Sequence, residues 1–157
     1  ACNGDELISI EKELQNAKFY LDLQKYRFED RLNYFITVQD SALLQAKIPK
    51  LILQMIVENA VVHGIEPQWE PGNVCVDISR TEQGICILVE DDGVGFKGCD
   101  GAVELPLPVR DADANHNHVA LNNAYQLISH FYGAPYGISI LSREGAGTRV
   151  TIMVPLT

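Results

Sequence analysis

Apolar residues recur at helical spacing in three segments of the chain. Residues 9–28 place one apolar face among Glu, Lys and Gln, residues 51–66 are apolar almost all round, and residues 118–131 return to a single apolar face. The second segment is therefore expected to be a buried central helix. Ser9 occupies an N-cap position, Pro49 stands near the expected first turn of the central helix, and Gly64 near its expected end.

Alternating apolar positions predict strands at 31–38, 74–79, 85–90, 137–142 and 148–154. The last two form a hairpin whose predicted buried face consists of Ile138, Ile140, Val150, Ile152 and Val154. Residues 97–117 lack a usable period and are expected to form a lid or a disordered loop. The order of elements predicts an α/β (α+β) two-layer sandwich, with helices on one face of a mixed sheet.

The chain has 157 residues, enough for one domain with a proper core. Its 12 basic and 21 acidic residues give a net charge of −9, which argues against nucleic acid or an anionic membrane as a direct partner. An acidic protein that binds a polyphosphate needs a counter-charge, for which Mg²⁺ is the obvious candidate. Four cysteines without metal-binding spacing are expected to be unpaired thiols, and the missing initiator Met suggests a fragment.

The central helix carries polar residues on one row of its surface. At about 100° per residue, Ile52, Met55, Asn59 and His63 fall within roughly 80° of one another. A buried helix with a narrow polar stripe predicts a site for a charged ligand. A core helix whose Asn and His bond to neighbouring backbone explains this stretch equally well. Two later segments favour the ligand site, EDDGVGF at 90–96 and EGAGTRV at 144–150.

Taken in order, VENAVVHG, DxGxG and GxGT resemble the ATP-binding domain of sensor histidine kinases. IPKLILQMIVENAVVHGIE at 48–66 resembles the N box of the YesM/LytS-like family. Residues 11–34 resemble the segment that links the phosphoacceptor region of that family to its ATP-binding domain. The resemblance covers nearly the whole chain. It implies the Bergerat (HATPase, GHKL) fold shared with gyrase-type and heat-shock-type ATPases, with a helical linker at 1–30 and the ATPase domain at 31–157.

The resemblance also implies roles for individual residues. Asn59 would coordinate Mg²⁺ through its amide oxygen, and His63 would lie on the phosphate side; these two are the expected catalytic residues. Alternatively, His63 is a surface histidine at a helix end. Asp91 would accept a hydrogen bond from the adenine amino group, or else it is a turn residue at a strand end.

Further residues complete the implied nucleotide site. Gly93 and Gly95 would let the backbone pass close beneath the base. Thr148 resembles the threonine on the adenine side of the family's site, and is otherwise an ordinary hairpin residue. The remaining expected nucleotide-binding residues are Leu121, Asn123 and Gly147.

Three departures from the family pattern modify these expectations. Met55 stands where water-splitting relatives carry a Glu, so hydrolysis to bulk water is unsupported. The second glycine box, GxGL in the family, reads HVAL here, and a left-handed backbone at His118 or Ala120 would cost about 1–2 kcal/mol per residue. Nucleotide binding is therefore expected to be weaker than in relatives with both glycines, and residues 97–117 are expected to be poorly ordered without nucleotide. None of His63, His116, His118 and His130 stands in the Pro-His-Phe context of the family's phosphoacceptor.

The combined pattern predicts the catalytic and ATP-binding domain of a two-component sensor histidine kinase, with ATP and Mg²⁺ as cofactors. The intact protein would pass the γ-phosphoryl group to a histidine on a dimerisation region, and a response regulator would then accept it. The domain is expected to be the cytoplasmic part of a membrane-bound bacterial sensor. Two alternatives stay open: a degenerate module kept for partner contacts, and an ATPase or anti-sigma-type serine kinase on the same fold.

Overall fold

The computed structural model describes residues 6–108 and 119–156. The helices in these ranges are α1 (Ile10–Phe28), α2 (Ile52–Asn59) with a π-helical continuation (Ala60–Ile65), and α3 (Val119–Phe131); short 3₁₀ turns lie at Glu29–Arg31 and Ser41–Gln45. The three predicted helices are confirmed. The Ser9 hydroxyl accepts a hydrogen bond from the Lys12 N–H at 3.1 Å and caps α1, as its position predicted.

The strands are β1 (Leu7–Ser9), β2 (Leu32–Val38), β3 (Lys47–Pro49), β4 (Gly72–Thr81), β5 (Gly84–Asp91), β6 (Asp100–Val103), β7 (Gly137–Arg143) and β8 (Gly147–Val154). Within the described ranges the main sheet has six strands in the order β2-β4-β5-β8-β7-β6. The β2–β4 pair is parallel and the other neighbours are antiparallel, so the sheet is mixed, as predicted.

The helices cover one face of this sheet. Buried and more exposed positions alternate along β4, β5, β7 and β8, because successive side chains of a strand point to opposite faces. The predicted buried face of the last hairpin is confirmed for Ile138, Ile140, Val150, Ile152 and Val154. These side chains join those of the three helices in a single hydrophobic cluster. The two-layer α+β sandwich is therefore confirmed.

Helix α1 is an integral part of that core. Ile10, Ala17 and Leu21 have no exposed surface and belong to the same cluster as the inner face of the sheet. Leu32, just beyond the expected domain boundary at residue 30, is also fully buried in this cluster. The core is thus continuous across the expected boundary between linker and ATPase domain.

The apolar pattern of the sequence does not predict the two short strands β1 and β3. Pro49 lies in β3, which pairs with β1 in register Leu7 with Pro49, so its expected place in the first turn of the central helix is wrong. Strands of three residues have no measurable period, and their partners lie about 40 positions away in the chain. Only the tertiary pairing could identify them.

Part of the expected lid is also a strand. Within 97–117, β6 pairs with β7 at the edge of the sheet, and the Arg143 guanidinium contacts the Asp100 carboxylate at 2.8 Å. The expectation that this whole stretch is an unstructured loop is therefore wrong for Asp100–Val103. An exposed edge strand that contains a glycine has no alternation of apolar and polar side chains by which to recognise it. Residues 109–117 of the expected lid lie outside the described ranges.

Candidate functional site

The candidate site lies where the adjacent strands β5 and β8 place Asp91 beside Thr148. The two residues are direct partners in the antiparallel register, so their side chains point to the same face of the sheet. Both are buried, with 8% of Asp91 and 6% of Thr148 exposed. On the next strand, the Ser142 and Thr148 hydroxyl oxygens lie 2.8 Å apart. Three neighbouring strands therefore present a row of polar side chains within an otherwise apolar layer.

The Asp91 carboxyl group is held in an unusual electrostatic environment. Its Oδ1 accepts the Gly93 N–H at 2.9 Å. Burial raises the pKa of Asp91 to about 7, and the Asp92 carboxylate adds to this, while backbone hydrogen bonds from Gly93 and Thr148 act in the opposite direction. A buried carboxyl group with a pKa near neutrality can accept a hydrogen bond from a neutral donor such as an amino group.

Close backbone contact joins the central helix to the turn after β5. The Val94 N–H donates to the Gly64 carbonyl at 2.9 Å. A Cβ atom on Gly64 would lie 2.5 Å from Asp91 Oδ1, and one on Gly93 would lie 2.1 Å from the Gly64 oxygen. Both approaches are closer than real Cβ atoms tolerate, so only glycine fits at 64 and 93 without a shift. The contact fixes the end of the central helix against the buried carboxyl group.

The expected role of Gly64 as the helix end is wrong. Gly64 lies inside the π-helical turn, which continues to Ile65, and it is absent from the positive-φ residues of the described chain. Its lack of a side chain serves the contact with Asp91 and Gly93. An isolated glycine near the end of an apolar helical pattern can be a cap or a close-packing position, and the sequence does not distinguish them.

The other predicted glycines bring the β7–β8 hairpin against the same turn. Gly95 has φ +70°, and a Cβ atom there would lie 2.1 Å from the Arg143 carbonyl oxygen. Gly147 has φ +125°, and a Cβ atom there would lie 2.0 Å from the Asp91 carbonyl oxygen. The Gly145 N–H also donates to the Val94 carbonyl at 2.7 Å. The DxGxG and GxGT segments therefore form one contiguous structure around Asp91.

Asn59 and His63 lie at the C-terminal end of the central helix. Asn59 is the last residue of α2 with 4% of its surface exposed, and His63 is half-buried in the π-helical turn that follows. Single π-helical turns inside helices are frequent at functional sites. Met55, one turn before Asn59, is partly buried against the core. The neighbouring Glu58 accepts a hydrogen bond from the Gln54 amide at 3.1 Å.

The start of α3 differs from the expectations in two respects. Ala120 lies within the helix and is not among the described residues with a left-handed backbone, so the cost considered for such a backbone does not arise at Ala120 in this structure; His118 lies outside the described ranges, as does His116. Asn123 is exposed, whereas Leu121 has no exposed surface and packs in the core.

The Asn122 side chain holds the chain segment that precedes α3. Its Oδ1 accepts the Leu107 N–H at 2.7 Å and its Nδ2 donates to the Leu107 carbonyl at 2.9 Å. These two bonds engage the whole Asn122 amide group with the backbone of Leu107. They attach this part of the expected lid, residues 97–117, to the described start of α3.

Sequence reasoning missed Ser142 and the packing role of Gly64. Ser142 is 3% exposed and donates to the Gly147 carbonyl at 3.2 Å, and it also accepts the Phe96 N–H at 2.8 Å. The alternation along the strand could have indicated Ser142, because it follows Ile138 and Ile140 at every second position and therefore lies on the same buried face. A polar residue in a buried phase next to a glycine-rich turn could have identified it.

The described ranges lack a cluster of metal-binding side chains and a membrane-spanning helix. No group of three or more His, Cys, Asp or Glu side chains in residues 6–108 and 119–156 could hold a metal ion. None of the helices there is long and apolar enough to cross a membrane. Cys75, Cys86 and Cys99 are free thiols, as expected; Cys2 lies outside these ranges.

The sequence that contains these segments matches a known family. Residues 46–157 match the family described as histidine kinase-, DNA gyrase B-, and HSP90-like ATPase. The chain belongs to this family. Sensor histidine kinase YesM of Bacillus subtilis is 30% identical over 150 residues, an alignment that covers 96% of this chain and 24% of YesM. Sensor protein LytS of Oceanobacillus iheyensis is 28% identical over 152 residues, covering 97% of this chain and 26% of LytS.

The chain thus spans about a quarter of the length of the curated relatives it matches. Within that span, the predicted resemblance to the ATPase domain of YesM/LytS-like sensor histidine kinases is confirmed. The chain is a domain of this type. The match to the family begins at residue 46, and the alignments with the sensor kinases extend it to nearly the whole chain.

Solved structures show the same fold. The catalytic domain of histidine kinase ThkA superposes with a TM-score of 0.64 at 13% identity, covering 95% of this chain and 94% of that one. ThkA in complex with the response regulator protein TrrA gives 0.62 at 13% identity, over 96% and 41%. Full-length ShkA in complex with AMPPNP gives 0.64 at 15% identity, over 92% and 29%. The predicted Bergerat-type sandwich is confirmed.

Proposed function

We propose that this domain binds Mg·ATP and that Asp91 recognises the adenine base. The observation that carries the proposal is the buried pair of Asp91 and Thr148, enclosed by backbone at Gly64, Gly93 and Gly147. The adenine amino group is a neutral donor that suits a buried carboxylate acceptor. The site would select adenine over a base that has no hydrogen-bond donor facing Asp91, because such a base would leave the buried carboxyl group without that hydrogen bond.

The phosphates would extend toward the end of the central helix. Asn59 supplies an amide oxygen suited to Mg²⁺, and the metal would neutralise the phosphate charges in a chain of net charge −9. His63, one turn further, would contact the phosphates, and these two residues would support phosphoryl transfer. Asn123 is available on the exposed side of α3, whereas the buried Leu121 would contribute by fixing the packing of α3.

In the intact protein, the γ-phosphoryl group would pass to a histidine of a dimerisation region and then to a response regulator. The sensor kinase relatives support this proposal, as does the structure of ThkA in complex with the response regulator protein TrrA. The protein would contribute mainly by positioning the reacting groups and neutralising their charge, because phosphoryl transfer requires little covalent participation by the enzyme. We also propose, from the similarity to these sensor kinases, that the domain lies on the cytoplasmic side of a membrane-bound sensor.

Titration calorimetry with Mg·ADP tests the nucleotide site. The parent should bind, and Asp91→Ala should lose at least about tenfold in affinity, since a hydrogen bond to a charged group contributes about 1.5–3 kcal/mol. Asp77→Asn is the matched control, because Asp77 is exposed on β4 and should leave the affinity unchanged. Equal affinity of the parent and Asp91→Ala would contradict the adenine assignment, and no binding by the parent would favour the degenerate module.

A further inference from the structure

Helix α1 contacts both ends of the central helix that carries Asn59. At the N-terminal end, Glu13 Oε1 accepts the Leu51 N–H at 2.8 Å and Oε2 accepts the Leu53 N–H at 3.0 Å. The Gln54 backbone N–H also bonds to this carboxyl group. Glu13 is fully buried. One side chain of α1 therefore accepts hydrogen bonds from three backbone groups around the first turn of α2.

Helix α2 has no capping side chain of its own. Its N-cap residue is Leu51, with a left-handed backbone at φ +71° and no side-chain hydrogen bond. The first N–H groups of a helix have no partners within the helix, and a polar side chain at the N-cap usually supplies one. Glu13 takes that role from 38 and 40 positions earlier in the chain. The start of α2 thus depends on the position of α1.

The other end of the central helix is held by the C-terminal part of α1 and the turn after it. Arg27 Nη2 contacts Glu66 Oε1 at 2.9 Å, directly after the π-helical turn. Arg31 donates to the Glu66 carbonyl at 3.4 Å and also to the Gln68 carbonyl. The residues between these contacts, Asn59 and the π-helical turn, therefore lie on an element held at both ends by one neighbouring helix.

The recognition of adenine depends on a different part of the structure. Asp91 is positioned by β5, by its register with Thr148 and by the Gly93 N–H, none of which belongs to α1 or α2. A displacement of α1 would act on the first turn of α2 through Glu13, whereas the far end of the central helix is also held to the turn after β5 by the Val94–Gly64 hydrogen bond. The contacts that Asp91 makes within the sheet do not involve α1. The metal and phosphate side of the site is therefore coupled to α1 more directly than the adenine side.

We propose that Glu13 is a positioning residue for the nucleotide site, which sets the place of the central helix, and with it Asn59, relative to Asp91. This inference rests on the proposed binding of Mg·ATP. Any displacement of α1 would then alter the affinity for the metal–phosphate part of the ligand. Helix α1 is a coupling element in this arrangement as well as part of the core.

The test compares two ligands on matched variants. Mg·ATP reports on both parts of the site, and adenosine reports on the Asp91 part alone. Glu13→Gln should weaken Mg·ATP binding by at least about fivefold and leave adenosine binding within about twofold. Glu11→Gln is the control, since Glu11 is exposed on the same helix and should change neither affinity. Equal losses for both ligands, or no loss for either, would overturn the proposal.

A second measurement separates this inference from the proposed function. Amide hydrogen exchange of the nucleotide-free protein should rise in Glu13→Gln at Leu51 and Leu53 and also at Asn59 near the far end of the helix. A rise confined to the first turn would overturn the positioning role whether or not nucleotide binds. If Glu13→Gln does not fold, Arg27→Gln provides a second test, because it removes a half-exposed contact at the other end of the central helix. It should also weaken Mg·ATP binding and leave adenosine binding unchanged. Unchanged Mg·ATP affinity in a folded Arg27→Gln would then count against the proposal.

Discussion

The carboxyl group of Asp91 lies so close to Gly64 that a Cβ atom on Gly64 would come within 2.5 Å of its Oδ1. The same glycine accepts the Val94 N–H through its carbonyl group at 2.9 Å. The end of the central helix and the end of β5 are therefore fixed to each other by backbone. Two segments that are 27 positions apart in the sequence become the two walls of one site, because one of them has no side chain at the point of contact.

The first prediction concerns Gly64. Gly64→Ala should lower the free energy of unfolding by about 1–3 kcal/mol, because the added methyl group meets a carboxylate that the Gly93 N–H holds in place. The measurement is urea unfolding followed by circular dichroism. Gly133→Ala is the control, since a Cβ atom there meets nothing within 4 Å, and it should change stability by less than about 0.5 kcal/mol. Similar stabilities for the two variants would show that the contact is loose.

The second prediction concerns the pH dependence of stability. The pKa of Asp91 rises from 3.8 to about 7 on folding, so between these values the folded protein keeps a proton that the unfolded chain has lost. The contribution of Asp91 to the free energy of unfolding should therefore fall as pH rises from about 4 to 7, by at most about 1.4 kcal/mol per pH unit. It should be constant above and below this window.

Asp91→Asn isolates that contribution, because the amide does not titrate. The stability of the variant relative to the parent should increase from pH 4 to pH 7 in urea unfolding at several pH values. Parallel stability profiles for the two proteins would mean that the Asp91 pKa is not raised by burial in the folded state.

The third prediction concerns adenosine binding and pH. The adenine amino group donates, so it should bind the ionised form of Asp91, and affinity should fall as the pH drops below about 7, the pKa of Asp91 in the folded protein. The expected slope is up to about tenfold per pH unit. Calorimetric titration of the parent from pH 5 to pH 8 measures this slope, and Asp91→Asn should show none. A flat profile for the parent would place the base elsewhere.

The fourth prediction concerns phosphorylation. Incubated with γ-labelled ATP and Mg²⁺, this chain alone should not become stably labelled on histidine, because none of its histidines stands in the phosphoacceptor context. Without a histidine in that Pro-His-Phe context, we expect no acceptor side chain to be held close to the γ-phosphoryl group. Acid-labile label on His63, His116, His118 or His130 would refute this. A preparation containing the phosphoacceptor region of a YesM-like kinase is the positive control.

The fifth prediction concerns the attachment of residues before α3. Asn122→Ala should remove both hydrogen bonds to the Leu107 backbone and increase amide exchange at Leu107. Loss of a bond to a buried backbone group costs about 1–3 kcal/mol locally. Asn123→Ala is the neighbouring control, since Asn123 is exposed, and it should leave exchange at Leu107 unchanged. Equal exchange in both variants would mean that other contacts hold this segment.

The sequence by itself determined the elements whose signal is local. The long apolar period gave α1, the central helix and α3, and the alternation of buried positions gave the sheet strands and their inner face, because each pattern repeats several times within one element. The ordered glycine segments were specific enough to indicate the family. They did so because close backbone approach leaves few acceptable residue types at a position such as Gly93 or Gly147.

The tertiary structure decided everything that depends on partners distant in the chain. It placed Pro49 in a strand rather than a helix, made Asp100–Val103 an edge strand, and gave Gly64 a packing role in place of a helix end. It also showed that Glu13 caps the central helix from another helix. Short elements and single contacts are too small to produce a periodic pattern in the sequence. A hydrogen bond between residues 38 positions apart does not affect the local pattern around either residue, so only the folded chain reveals it.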